Sequence, residues 1–525
     1  MTYLGIMGKR YSIVEPPIGR GGEGAVYKIE GESDKVVKIF NEKRRSNYKH
    51  EKLKAMVDFS ISEEAKSYIV WPLDIVYENS CFAGCVFPLI KNKEDLNTIY
   101  SDKCSFTLYE KITIAKNLCV AINAVHNAGH ICGDLNPRNI GVSIDNGKVT
   151  IMDVDSFHIV DRNYARIYRC EVGIPEYMSK EVQLKTHNGL SLSTAPLPTY
   201  TKYSDLFALA VHIFQLLMNG CHPYATAIDQ TAQTSVSLEA PQPNENICND
   251  FCPFIIKKDS YTTPVYAPKF SYLPDSIQKL FSRAFICTEL TDRPGAIEWY
   301  YALTDLQNNL KTCTLNPKHF YPDQLDNCPW CTSDRSISFS PEPRMACVLL
   351  LDTSASMSGE PINNIINALY DFKEQTSFDE LAQKRIDIAV VEFNDGARVA
   401  QNFVPLECLK SQVNCSSKVA SEMGTGINLA IDIIKERNNL YARTGTLWYK
   451  PWIIMFSQDK SSDDISVARQ KVIRMERDGK LTFYSINADN KFNIDSLGRS
   501  ITKLCMNICD VSFKGIFEST WLVES

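Results

Sequence analysis

Asp134, Asn139 and Asp153 are proton- or metal-handling side chains gathered in one stretch, HICGDLNPRNIGVSIDNGKVTIMDVDSF, that begins at His130. Two short apolar runs lie between them, Ile140 to Ile144 and Val149 to Met152, and predict a hairpin with the polar groups on flanking loops. A carboxylate so placed can take a proton, and an amide oxygen with a second carboxylate offers hard ligands to a divalent cation. Upstream, IGRGGEGAVY sets Gly19, Gly21 and Gly24 in a G-x-G-x-x-G-x-V spacing that ends on Val26. Such a turn brings bare backbone close over phosphates and points N–H groups at their oxygens. Alone the pattern is weak, but KVVKIF follows with Lys38 on a β-type run, within reach of the same phosphates.

Two other groups carry chemistry of a different kind. Cys313, His319, Cys328 and Cys331 lie in CTLNPKHFYPDQLDNCPWC, where the C-P-W-C turn presents two thiolates from one knuckle and the upstream pair can close a tetrahedron around zinc. A redox pair is the competing reading, but it would sit ahead of a helix, and here a Ser-rich linker follows. The expectation is a structural zinc ribbon with four protein ligands and no open position. Further on, ACVLLLDTSASM reads as a buried parallel strand ending in Asp352, Ser354 and Ser356. These suit a hard divalent cation at a crevice of an open α/β sheet, or they cap the helix expected from Pro361.

The scaffold for these groups is large. A chain of 525 residues exceeds one core and predicts about three units. The net charge of −6, with no basic block beyond Lys43 to Arg45, argues against nucleic acid as a partner. No window is apolar enough to span a membrane and no signal segment opens the chain, so the expectation is a cytoplasmic protein whose 18 cysteines are mostly reduced.

Taken in order, the amphipathic stretch from Asn47 to Val57 offers Glu51 as the carboxylate to pair with Lys38, with Glu42 as a rival on spacing. Trp71 to Val76 and Cys81 to Ile90 read as strands completing a small N-terminal sheet. Leu108 to Ala128 carries Ile112, Leu118 and Ile122 at helical spacing. Residues Leu184 to Lys202 and Ala225 to Pro268, rich in Ser, Thr, Pro and Asn, read as loops or insertions without an assigned role. After Asp352, helical and strand runs alternate through Ile486, which predicts a doubly wound sheet.

With these residues in hand, about Tyr11 to Leu310 resembles a protein kinase domain, an α+β fold of two lobes. Later landmarks agree in order: Glu181 in GIPEYMSKE closes the activation segment, Asp205 starts a buried helix, and Arg293 in TDRP is placed to pair with Glu181. The resemblance implies that the Gly19 to Gly24 loop, Val26 and Lys38 hold ATP. It further implies that Asn139 and Asp153 hold magnesium and that Asp134 accepts the hydroxyl proton. Departures stand beside the matches. Cys132-Gly133 replaces the usual His-Arg, Val154-Asp155 replaces Phe-Gly, Asn136 replaces a Lys for which Arg138 can substitute, and Ile174 replaces a Thr.

Residues from about Arg344 to Ser525 resemble a von Willebrand factor A domain with a metal-ion-dependent adhesion site. In that family Ser354, Ser356 and Thr425 ligate Mg²⁺ or Mn²⁺, Asp352 acts through water, and an acidic residue of a partner protein fills the free position. Gln458 stands where the third loop carries Asp, with Asp459 beside it. The whole chain resembles bacterial fusions of a kinase-like domain (1–310), a short zinc ribbon and linker (311–340) and an A domain (341–525) of the tellurite-resistance type. This implies a Ser/Thr rather than Tyr kinase in signalling or stress response that acts on a protein substrate. The alternative is a nucleotide-binding pseudokinase scaffold.

Overall fold

The computed structural model describes residues 1–525 except 60, 102–103, 162–165, 187–189, 230–238, 333–341, 378–379, 410–419, 458–460, 489–500, 503 and 508–525. Strands β1 (Thr2–Gly5), β2 (Arg10–Arg20), β3 (Gly24–Ile29), β4 (Glu32–Phe40), β5 (Asp74–Glu78) and β6 (Cys81–Pro88) pair antiparallel and close into a barrel in the order β1-β2-β3-β4-β6-β5. Val37, Ile75, Val76 and Val86 are fully buried there. The strand expected from Trp71 starts only at Asp74. Pro72 has no N–H to give a ladder, and Trp71 instead turns inward, its Nε1 donating to the Met56 carbonyl at 2.9 Å.

Helix α1 (Asn47–Asp58) crosses between β4 and β5, capped by Ser46, whose Oγ accepts from the Lys49 N–H at 3.1 Å. It buries Leu53 and Met56. In the second lobe, α2 (Leu108–Asn127) opens on a reciprocal Thr107–Glu110 capping box. It packs with α3 (Lys202–Leu217) and with α5 (Ala296–Asn308), which follows α4 (Asp275–Phe285). Every residue of α3 from Ser204 to Leu217 is buried, so this helix is the axis of the lobe. A three-stranded sheet, β7 (Lys93–Asp95), β8 (Ile140–Ser143) and β9 (Val149–Ile151), contains the hairpin expected from the two apolar runs, with Ile140 opposite Ile151.

The chain then forms an antiparallel pair, β10 (Leu310–Thr312) with β11 (Phe320–Pro322), and a short turn of helix at Pro329–Thr332. Beyond it lies a six-stranded sheet. Its strands are β12 (Met345–Asp352), β13 (Ile386–Phe393), β14 (Ala397–Pro405), β15 (Trp452–Ser457), β16 (Thr482–Asn487) and β17 (Leu504–Asn507), in the order β14-β13-β12-β15-β16-β17. Only the β13–β14 pairing is antiparallel. Strand β12 is buried along its whole length, and its alternate side chains feed two cores: Leu349 joins Ile365 and Phe372 of α6 (Glu360–Ser377), while Val348 joins Ile427 and Ile431 of α7 (Met423–Arg443). Helix α8 (Ser466–Arg477) lies on the α7 side.

The described parts of the stretch from Ala225 to Pro268, without a role in the sequence, form a connector. Ala240 and Ile228 pack into the core beneath α7, the Val265 N–H donates to the Arg443 carbonyl at 3.1 Å, and Glu239 pairs with Lys435 at 3.6 Å. The helical lobe and the doubly wound sheet therefore share packed surface. Among the described residues no helix is long and apolar enough to cross a membrane.

Candidate active site

The lobes enclose a cleft of about 610 Å³, lined by the glycine-rich turn between β2 and β3, by Lys38 of β4, and by Asp134, Asn139 and Asp153. The glycines divide the work. A Cβ at Gly24 would lie 2.2 Å from the Ile39 carbonyl oxygen, so that glycine permits close strand pairing; a Cβ at Gly19 or Gly21 would meet open space, the room over which phosphates would lie. The turn is closed by the Gly21 N–H donating to the Gly24 carbonyl at 2.9 Å. Val26 lines the roof beside Val36.

Asp134, Asn139 and Asp153 come together as their spacing predicts. Asn136 and Asn139 donate to Asp134 Oδ2 at 3.0 and 3.2 Å, and Asn139 also reaches the Asp134 carbonyl at 3.1 Å. Burial raises the Asp134 pKa against the opposing effect of those amides. Its Oδ1 takes no hydrogen bond from the described residues. Asp205 at the start of α3 fixes this loop from beneath, accepting from the Cys132 and Gly133 N–H groups at 2.8 and 2.9 Å and lying 2.9 Å from His126 Nε2. Gly133 has φ +76° and a Cβ there would sit 2.7 Å from that of Cys170, which explains why no arginine precedes Asp134. Arg293 donates to both oxygens of Glu181 at 2.5 and 3.0 Å, as expected.

The expected Lys38–Glu51 pair does not form, because Glu51 lies on the outer face of α1, half exposed, and pairs with Arg166. Lys38 Nζ instead reaches Asp153 at 2.6 Å, both oxygens of Asp155 at 3.0 and 3.1 Å, and Glu23 at 3.6 Å. Burial opposes the Lys38 charge, but the surrounding carboxylates outweigh it and raise its pKa. Burial and the neighbouring Asp155 push Asp153 up to about 6; burial acts on Asp155 too, but Lys38 and Lys49 overcome it and hold that carboxyl low. The rival Glu42 lies in the turn of 3₁₀ helix that leads to α1. Sequence reasoning missed Asp155 and Glu23. The signal for Asp155 was present in the Val154-Asp155 departure, read there only as a loss.

Cys313, His319, Cys328 and Cys331 also converge: their ligand atoms all lie within 4.8 Å of one another, with Cys313 Sγ 3.4 Å from Cys331 Sγ and His319 Nδ1 3.5 Å from Cys331 Sγ. This matches the four donors and spacing of a tetrahedral centre. In the sheet domain, Asp352 is buried at the end of β12, its oxygens accepting from the Ser354 N–H and from Ser421 Oγ, both at 3.0 Å, and from Ser457 Oγ at 3.3 Å. Ser354 and Ser356 hydroxyls lie 2.8 Å apart. Thr425, in the first turn of α7, donates to Asp463 through its N–H at 2.9 Å and its hydroxyl at 3.2 Å. Gln458 and Asp459 lie outside the described residues; Asp463 is a carboxylate the sequence reading passed over.

A protein kinase domain model matches residues 12–298, and a von Willebrand factor type A domain model matches residues 347–502. Similar proteins include Protein kinase YegI of Escherichia coli K12, 30% identical over 336 residues, which cover 60% of this chain and 48% of that one. The Serine/threonine-protein kinase MPS1 of Saccharomyces cerevisiae is 22% identical over 253 residues, 45% of this chain and 32% of that one. The chain thus spans about half the length of the Escherichia coli relatives that it matches.

Proposed function

Because this chain belongs to the protein kinase family, whose domain model covers more than half of it, we propose that it transfers phosphate from ATP to hydroxyl groups of a protein, on serine or threonine. The observation that carries this reading is Asp134: half-buried in the wall of the cleft, with Oδ2 held by two amides. The Asp134 carboxylate is the acceptor for a substrate hydroxyl proton. The glycine-rich turn and Lys38 bind the phosphates. Asn139 and Asp153 offer the amide and carboxylate oxygens that a magnesium ion takes, and their shared cleft fits it. When bound, magnesium and ATP supply the transferable phosphoryl group with its charge neutralised; the chain supplies orientation and a proton acceptor.

Two accessory sites complete the proposal. Cys313, His319, Cys328 and Cys331 hold zinc as a structural joint, and Asp352, Ser354, Ser356 and Thr425 form a Mg²⁺ or Mn²⁺ site through which the A domain recruits an acidic protein partner. Asp463 supports that site by fixing Thr425. The setting we assign is signalling or stress response in the cytoplasm.

The test is incubation with Mg·ATP, with phosphorylated residues read by mass spectrometry, beside Asp134→Asn and Asp153→Ala. Phosphate on Ser or Thr that disappears in both variants supports the reading. One observation favours the alternative of a nucleotide-binding scaffold: Glu51 turns away from Lys38. Mg·ATP binding without transfer to the chain itself or to candidate partners would decide for the scaffold.

A further inference from the structure

Helix α1 presents bases to the cleft where an acid was expected. Lys49 Nζ lies 2.7 Å from Glu23 and 3.8 Å from Asp155, and the buried Lys52 donates to the Arg169 carbonyl at 3.3 Å. The carboxylate that meets Lys38 from below arrives from another direction, the turn after β9. We propose that Asp155 is the positioning residue that holds Lys38 toward the phosphates, replacing a carboxylate from α1 and leaving Asp153 for the metal. This deepens the phosphotransfer reading and rests on it.

The two aspartates differ in what they can reach. The Asp155 side chain is 1% exposed, touches Lys38 with both oxygens, and sits in a turn of 3₁₀ helix beside the buried Val154. It lines the same cleft but is almost wholly screened from solvent. The Asp153 side chain is 37% exposed and lines the cleft, its backbone held at φ +53° by the Ser156 hydroxyl donating to its carbonyl at 2.8 Å. One carboxylate is therefore fixed to the lysine while the other can turn to a ligand, and each oxygen of Asp155 shares the Lys38 charge in a site screened from water. The anchor and the metal carboxylate ride on the same turn. Displacement of α1, which breaks a lysine–glutamate pair when the acid lies on that helix, leaves this pair intact. The role of α1 is instead to tie down the glycine-rich turn through Lys49 and Glu23.

The test uses the full chain with Mg·ATP as the probe, reading affinity by calorimetric titration and autophosphorylation over a range of ATP concentrations, with thermal melting as the folding control. Asp155→Asn is expected to weaken Mg·ATP affinity and raise the apparent ATP KM by about tenfold or more, through loss of a buried charge partner. Asp155→Glu, which keeps the charge, is expected to recover most of the loss, and Glu51→Gln to leave both quantities within about twofold of the unaltered chain. Unchanged affinity in Asp155→Asn overturns the proposal, as does equal loss in Asp155→Asn and Asp155→Glu. If Asp155→Asn does not fold, Asp155→Ser and Asp155→Glu are titrated in its place: affinity lost in the first and kept in the second upholds the proposal, and unchanged affinity in Asp155→Ser, or weakened affinity in Glu51→Gln, overturns it. Failure of the unaltered chain to transfer phosphate would count against the kinase reading alone, because the titration judges Asp155 without turnover.

Discussion

Arg138, in the loop that carries Asp134, donates at 2.7 Å to Glu342, which lies just ahead of the first strand of the A domain. The same carboxylate accepts from Asn97 at 3.1 Å and from Arg385 of the A domain at 3.3 Å. Arg138 is the cation nearest in sequence to the position where Asn136 replaces a lysine, and under the proposed function it is the side chain that would steady a transferring phosphate, here held by the neighbouring domain. Glu342→Ala should free it. The expected outcome is a rise in kcat of about two- to tenfold with little change in ATP KM, measured by autophosphorylation. A fall in kcat would mean that Glu342 orients Arg138 for transfer.

Glu181 and Arg293 join the end of the activation segment to the helical lobe by two parallel hydrogen bonds, with the Arg293 side chain 5% exposed. Arg293→Ala leaves a partly buried carboxylate without its cation, at a cost of about 3 kcal/mol. Arg293→Lys should recover little, because a single ammonium cannot serve both oxygens. Chemical denaturation of the three proteins side by side measures this.

How far the sequence disclosed these relationships depended on whether the partner lay nearby in the chain or across the fold. The hairpin at Ile140–Ser143 and Val149–Ile151 and the alternation after Asp352 were legible, because periodicity and local turns decide them, whereas the Glu181–Arg293 pair, far apart in sequence, came only from the resemblance to the kinase family. The partner of Lys38 was not. Position within a helix placed Glu51 on α1, but the face that α1 turns inward is set by the burial of Leu53 and Met56 in the core that both lobes share, and that face carries Lys49 and Lys52. The connector role of Ala225 to Pro268 was hidden for the same reason. Ile228 and Ala240 look like loop residues until α7 is beside them.

Gly133 offers a backbone prediction. Restoring a side chain before Asp134 should harm the protein, since φ there is +76° and Cys170 occupies the space a Cβ would need. Gly133→Ala is expected to cost about 1–3 kcal/mol and to lower kcat, because the strain falls next to the proton acceptor. Cys170→Ala in the same chain removes only the Sγ at 2.8 Å and keeps the Cβ at 2.7 Å, so it should give little recovery in thermal melting.

Acid should loosen the catalytic loop. His212 lies between the Tyr100 hydroxyl at 2.6 Å and the Leu135 carbonyl at 2.8 Å, and His222 Nε2 is 3.0 Å from the Glu176 carbonyl. Burial lowers the pKa of His212 to about 4 and of His222 to about 3, so both are neutral in the folded protein at pH values where an unfolded histidine, near 6.5, is charged. The unfolded chain then binds more protons, and stability must fall as pH falls. Their contribution is complete above about pH 6.5 and is lost progressively from there down to about 4 for His212 and about 3 for His222. Melting temperature followed across that range should drop, and His212→Gln should flatten the drop.

Metal removal tests the joint between the domains. Trp330, inside the C-P-W-C turn, donates from Nε1 to the Phe320 carbonyl at 2.6 Å, and Phe320 packs on Tyr109 of α2 with ring centroids 5.7 Å apart. The four clustered donors therefore hold a knuckle that leans on the helical lobe, and a zinc ion there would stabilise both. The purified chain is expected to contain about one equivalent of zinc by elemental analysis, and Cys328→Ser to lose it. Chelation should lower the melting temperature by about 5 °C and change Trp330 fluorescence, while re-addition of zinc reverses both. A chain that carries no zinc, melts unchanged with chelator and forms a Cys328–Cys331 disulfide on mild oxidation would establish the redox pair instead.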